Sequence, residues 1–240
     1  MKTENQDRSF MIEITRIKLD AALPFCPEQM DEISWERRVK IVRYRSAADK
    51  KRSLTAELLM RICAHKALGI PVSDIQFGKN PYGRPYVPNV RHFHFNISHA
   101  GDYVAAAVAR NAVGLDLEPI RRMDENVVSR YYTPAEQQYC LKGSEVEQNA
   151  AQTQIWTLKE SYVKALGRGL SVPLSSFSFL MGEPICVMPD HGKYPHRFRS
   201  FFFDGHVFTV CYTGREQEIK IHDMEEAELY PAYLKYRENG

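Results

Sequence analysis

Cysteine is scarce in this chain of 240 residues: five in all, with no pair at Cys-x-x-Cys spacing. An odd number without paired spacing speaks against a disulfide framework or a structural zinc site. Cys26, Cys63, Cys140, Cys186 and Cys211 read instead as small core residues. Excess charge of one sign is also missing, because 32 basic and 30 acidic residues leave a formal charge of +2. A bulk nucleic-acid binder would carry a far more basic surface. No run approaches the ~18 consecutive apolar residues of a membrane span. Met1 to Arg8 is polar and charged, unlike the basic-then-apolar layout of a secretory leader. Residues 1–10 read as a loose tail, and there is no long Gly/Ser linker. These absences make a globular cytoplasmic protein, with neither membrane nor nucleic acid as partner, the expectation. What is present is a 44% apolar content, too high for disorder and enough for one large domain or two small ones.

Hydrophobic spacing predicts a first strand over Met11–Leu19 and helices over Asp31–Tyr44 and Ser53–Leu68. In the first helix Trp35, Val39 and Val42 share a face. Gly69 and Pro71 end the second. After a turn-rich stretch come two strands, His92–Ile97 and Tyr103–Ala109, and a third at Val113–Glu118. Short helices follow at Val127–Tyr132 and Pro134–Leu141, the latter with an N-cap signature in Thr133 and Glu136. Gln152–Leu166 is the best helix. Strands return at Ser176–Leu180, Ile185–Met188, Phe198–Phe203 and Val207–Tyr212. The hairpin of His92–Ala109 is echoed by Phe198–Tyr212, each preceded by a helix. That echo suggests two similar α+β halves, 1–112 and 113–240.

Four segments could carry chemistry. In Gly114-Leu115-Asp116-Leu117-Glu118, a strand puts Asp116 and Glu118 on one face and the leucines on the core face. Two like charges side by side favour a shared cation, and hard oxygen ligands suit Mg²⁺. Two solvated acids at a strand end would look the same. In Trp156-Thr157-Leu158-Lys159-Glu160-Ser161-Tyr162-Val163-Lys164, a helix aligns Trp156, Glu160 and Lys164, with Lys159 beside them. An ordinary surface pair is the plainer reading. Arg37, Arg38, Lys40, Arg43 and Arg45, then Lys50, Lys51, Arg52 and Ser53, form a basic stretch that would suit phosphate at a helix start or simply face solvent. Ser98-His99 lacks the elbow of a hydrolase nucleophile and fits ligand binding better.

In combination these motifs resemble the Sfp-type 4′-phosphopantetheinyl transferases. The match runs in order through the basic helix, Tyr82-Gly83-Arg84-Pro85, Phe95-Asn96-Ile97-Ser98-His99, the Asp116-Leu117-Glu118 strand, and Trp156 to Lys164 running into Gly167-Arg168-Gly169-Leu170. It covers roughly residues 30–180, and the last segment is the most specific. The resemblance implies a pseudo-dimer of α+β halves with coenzyme A in the cleft between them. It implies Mg²⁺ held by Asp116, Glu118 and Glu160. Arg37, Lys40, Lys51, Arg52 and Ser53 match the region gripping the coenzyme's phosphates and adenine nucleotide. Tyr82, Gly83, Arg84 and Pro85 match the turn bordering the adenine, with Arg84 where the family has lysine. Lys51 stands where the family can have a histidine on the 3′-phosphate. Ser98 and His99 match a pair near the phosphates, which Asp116, Lys159 and Lys164 would also meet.

The implied reaction is attack of a carrier-protein serine on the β-phosphate of coenzyme A, releasing 3′,5′-ADP. Lys159 and Lys164 would stabilise phosphate charge, and Glu160 would be the general base, directly or through water. The acceptors would be acyl or peptidyl carrier proteins of peptide, polyketide or fatty-acid assembly. They would dock near Tyr131–Leu141 and beyond Gly169. The length points to the monomeric branch. The rival readings are a non-catalytic relative that binds coenzyme A or a carrier protein, another Mg²⁺-dependent nucleotide enzyme, and an RNA-binding module.

Overall fold

A first strand, β1 (Met11–Lys18), buries Ile12, Ile14 and Ile17. The computed structural model describes residues 11–215 and 217–238; the tail expected at residues 1–10 lies outside them. After β1 come helices α1 (Trp35–Val42) and α2 (Ala47–Leu68), then the short strands β2 (Gly78–Lys79) and β3 (Pro85–Tyr86). The hairpin β4 (His94–Ala100) and β5 (Tyr103–Ala109) leads to β6 (Val113–Pro119). Helices α3 (Glu125–Tyr131), α4 (Pro134–Cys140) and α5 (Glu145–Leu166) follow. Then come β7 (Ser178–Leu180), β8 (Cys186–Met188), β9 (His196–Phe203), β10 (His206–Thr213), β11 (Glu218–Glu225) and α6 (Glu226–Glu238).

Two antiparallel three-stranded units share one plan. In the first, strand order is β1-β5-β4; in the second it is β6-β10-β9. Each unit is a strand, a helical stretch ending in a 22-residue helix for α2 and α5, and a hairpin whose second strand returns between the others. This is the α+β pseudo-dimer, and it bears out the hairpin echo. The turns differ in residue order, Gly101-Asp102 against Asp204-Gly205, yet each relies on positive φ. Leu115 and Leu117 do point into the core shared by the two sheets, packed with Ile12, Ile14, Ala105 and Val210.

The long helices begin earlier than apolar spacing predicts. Ser46 caps α2 through the Ala48 N–H, so the charged run Asp49 to Arg52 lies inside its first turns. Ser144 and Glu147 form a capping box for α5, ahead of a polar stretch with no periodicity. In α1 the Trp35 and Val42 side chains are exposed and Ile41 is the buried residue, so the expected apolar stripe is not the packed face. The hydroxyl cap on Ser34 and the tie of Arg38 to Asp31 and the Ile33 carbonyl set the helix's orientation instead. The sequence pattern predicts no element beyond Tyr212. There β11 adds to β1 in parallel, from Met11↔Glu218 to Lys18↔Glu225, and α6 packs on α2.

Candidate functional site

The two sheets meet edge to edge, β4 against β6. Over this junction lies α5, which packs on β6 and β10. Its close approach depends on Gly114, because a Cβ there would run into the carbonyl of Ser161 and the amide nitrogen of Ala165. Glycine inside a strand is a recognisable sign of such backbone contact. The consequence is that Lys164 of α5 reaches β6. Its Nζ lies 2.6 Å from Asp116 Oδ1, 3.0 Å from the Leu115 carbonyl and 3.3 Å from Ser98 Oγ. Ser98 donates to Asp116 Oδ1 at 3.1 Å and accepts from the Leu117 N–H at 3.2 Å. Three elements thus converge on one carboxylate.

Burial raises the Asp116 carboxyl above its usual range, and Lys164 and Ser98 counter only part of this. Glu118 is pushed up to about 6, first by burial and then by Asp116, with Arg121 and Trp156 opposing. Burial and Asp116 likewise raise Glu160. Asp116 Oδ2 is buried and without a hydrogen-bond partner. An orphaned carboxylate oxygen beside two carboxylates that resist ionising is a donor set a divalent cation would relieve, and its hard oxygens suit Mg²⁺. Among the described residues no three such side chains are drawn together tightly enough to hold an ion. Lys164 serves as counter-ion to Asp116.

The end of β4 lies among basic groups. His99, at the end of β4, is solvent-accessible but crowded. Desolvation lowers its imidazolium pKa first, then the positive charges of Arg52, Arg37 and Lys164. Arg52 donates to the Gly101 carbonyl at 2.7 Å and pairs with Asp49. Arg37 lies 3.6 Å from Glu57, its Nε buried and without a hydrogen bond, as is Ser53 Oγ. The charges of Arg52, Arg37 and Lys164 give the His99 end of β4 a positive field, the kind that favours an anion. Lys40 is exposed.

The chain's segments match two descriptions in succession: "4′-phosphopantetheinyl transferase, N-terminal" over residues 27–111 and "4′-phosphopantetheinyl transferase superfamily" over residues 112–211. A 4′-phosphopantetheinyl transferase of Bacillus subtilis is 34% identical over 186 residues, covering 76% of this chain and 83% of its own. This chain belongs to the Sfp-type 4′-phosphopantetheinyl transferase family. The transferase psf-1 of Bacillus pumilus is 35% identical over 66% of this chain and 70% of its own length. Sfp of Bacillus subtilis strain 168 is 32% identical over 76% and 83%.

Within this family member, the side chains of three residues expected at the site are engaged by other groups of the protein. Lys159 is fully buried and pairs with Glu136 at 2.9 Å, also donating to the carbonyls of Leu174 and Phe177. One residue along a helix is a turn of about 100°, so Lys159 cannot share the face of Glu160 and Lys164. Its cation is also over the Phe177 ring, 4.7 Å from the centroid. Lys51 donates to the carbonyls of Asp20 and Leu23 and pairs with Glu226 at 2.9 Å. It fastens the loop after β1 to the start of α6, an element absent from the sequence reading. Arg84 donates to the carbonyls of Ala165 and Val113 at 2.6 and 3.0 Å, locking the β2–β3 turn onto the end of α5. Tyr82 and Gly83 stay exposed on that turn, and Pro85 pairs with Lys79.

Proposed function

We propose that this chain transfers the 4′-phosphopantetheine group of coenzyme A to a serine of an acyl or peptidyl carrier protein, releasing 3′,5′-ADP. Family membership supports this reading, and one observation carries the site: Ser98 from β4, Asp116 from β6 and Lys164 from α5 meet at a single carboxylate. The coenzyme would lie in the cleft between the halves 1–112 and 113–240, with the protein acting as a cytoplasmic monomer. Asp116, Glu118 and Glu160 would hold Mg²⁺. The ion would draw charge off the pyrophosphate and sharpen the β-phosphate as an electrophile.

The chain's own side chains account for the rest. Arg37, Arg52 and His99, with the exposed Lys40 at the margin and the buried Ser53 behind them, would bind the phosphates of the nucleotide end. Lys164 would meet charge that grows on the transferring phosphoryl oxygens, with Ser98 bonded to Asp116 beside it. Glu160 would take the proton of the carrier serine, directly or through a water, the water route being favoured because a carboxylate that also holds Mg²⁺ loses basicity. The exposed Leu141 and half-buried Tyr131 and Tyr139 would face the carrier.

The test is incubation with coenzyme A, Mg²⁺ and an apo carrier domain, followed by mass spectrometry of the carrier. A gain of one phosphopantetheine group that EDTA abolishes is the expected result. Coenzyme A binding without any gain on several acyl and peptidyl carriers would overturn the transfer reaction.

A further inference from the structure

The strands β4 and β6 are the facing edges of two different sheets and share no backbone ladder. Edge strands brought together in a buried position leave N–H groups that need acceptors. Here side chains supply them. The Leu115 N–H donates to Asn96 Oδ1 at 2.8 Å, and the Leu117 N–H donates to Ser98 Oγ at 3.2 Å. Both pairs step by two residues, so the polar side chains of one edge meet successive N–H groups of the other. All four residues are buried. Ser98 touches Asp116 and Lys164 itself. Asn96 touches neither, yet the peptide unit it holds leads directly to both. Leu115 receives Lys164 on its carbonyl at 3.0 Å, and Asp116 is the next residue.

We propose that Asn96 is a positioning residue. Its side-chain oxygen fixes the height of β6 against β4, and thereby the placement of Asp116 and Lys164 relative to Ser98 and His99. This rests on the transferase reading above. Without the Asn96 oxygen, the Leu115 N–H has no acceptor, and β6 is free to shift along the junction. The phosphate-binding cations on α1 and α2 are untouched by that shift. The loss should therefore fall on turnover and not on coenzyme A binding, since small misplacements of reacting groups are costly.

The experiment compares wild type, Asn96→Ala and Phe95→Leu. Phe95 is the adjacent residue of β4, buried in the core of the first half, so Phe95→Leu provides a loss of stability that leaves the junction intact. The readouts are melting temperature, kcat and KM for coenzyme A, and hydrogen exchange of the 113–119 segment. The expected result is faster exchange in 113–119 and a fall in kcat of about tenfold or more with KM nearly unchanged, in Asn96→Ala only. Should Asn96→Ala fail to fold, Asn96→Ser, with its shorter reach, is put through the same comparison. Equal losses of kcat in Asn96→Ala and Phe95→Leu at matched melting temperatures, or unchanged exchange in 113–119, would overturn the proposal. A wild-type chain with no transfer at all would refute the transferase reading and the positioning role with it, leaving exchange to judge the junction alone.

Discussion

Replacing Lys159 by methionine separates two accounts of the residue next to Glu160. If Lys159 meets phosphate, the variant folds normally and turns over poorly. The structure leads to the opposite expectation. Lys159 and Glu136 are both fully buried, 2.9 Å apart. Glu136 also accepts from the Thr133 N–H, closing the cap of α4, and from the Phe179 N–H of β7. The pair thus ties α4, α5 and β7 together. Methionine fills the volume but leaves the Glu136 carboxylate buried without its cation. Breaking one side of a buried pair costs about 3–5 kcal/mol. For a chain of this size each kcal/mol moves the melting temperature by roughly 2–4 °C, so the fall should be about 6–20 °C. The double variant Glu136→Gln/Lys159→Met should recover a large part of that loss, because no uncompensated charge remains. Thermal unfolding by circular dichroism reads the shift, and transfer is assayed well below the lower melting point. Lys159→Met with an unchanged melting temperature and abolished transfer would refute the reasoning.

Three further outcomes are expected. Gly114→Ala should yield a poorly folded or inactive chain, because its methyl group collides with the α5 backbone; a soluble variant with wild-type transfer would show that α5 does not lie so close. Lys51→Met should lower the melting temperature and weaken coenzyme A and dephospho-coenzyme A equally, as its partners are Glu226 and two carbonyls. Calorimetry showing a loss confined to coenzyme A would instead put this lysine on the 3′-phosphate. Stability should fall on acidification through Asp190 and His196. Burial pushes the Asp190 carboxyl up, but the Gly192 and His196 N–H groups and the His196 ring outweigh it, so its folded pKa lies below the ordinary value. Its contribution is present above that ordinary value and is lost as pH falls through the folded one. Burial lowers the pKa of His196, so protonation below about 6.5 favours the unfolded chain. Because the raised Asp116, Glu118 and Glu160 act in the opposite sense over the same range, the reading is the difference from His196→Gln: from pH 7 to 5 the wild-type melting temperature should lose more, or gain less, than that of the variant, and identical pH dependence would count against this pairing.

The site was legible where chemistry and local geometry coincide. The period of a strand put Asp116 and Glu118 on one face, and the period of a helix aligned Glu160 with Lys164. The paired hairpins were visible because each has a turn between apolar runs. What escaped was set by contacts distant in sequence. Lys159, Lys51 and Arg84 look like free cations beside a phosphate motif, but each is claimed by carbonyls or carboxylates 15 or more residues away. No local pattern announces such partners. The missed β11 is different, since Glu218-Ile219-Lys220-Ile221 does alternate. Its parallel pairing with β1 crosses almost the whole chain.

The two halves share a plan but differ in the charge they bring to the junction of β4 and β6. The arginines about His99 come from α1 and α2, in the first half; carboxylates come from β6 and α5 in the second. A symmetric pair of such units would bring the same charge from both halves. Divergence within one chain allows basic and acidic groups to meet at the junction, which an anionic substrate and a cation would require together under the proposed function. Lys164 crosses that division, reaching from the acidic half to Ser98 of the other. It balances Asp116, and under the proposed function an incoming phosphate would compete for it. If so, Lys164→Met should release Asp116 from its internal partner, raising its affinity for Mn²⁺ as a probe ion while lowering the melting temperature in EDTA. Opposite signs for the two effects are the signature of a counter-ion. Loss of both Mn²⁺ affinity and stability would instead mark Lys164 as a purely structural support for β6.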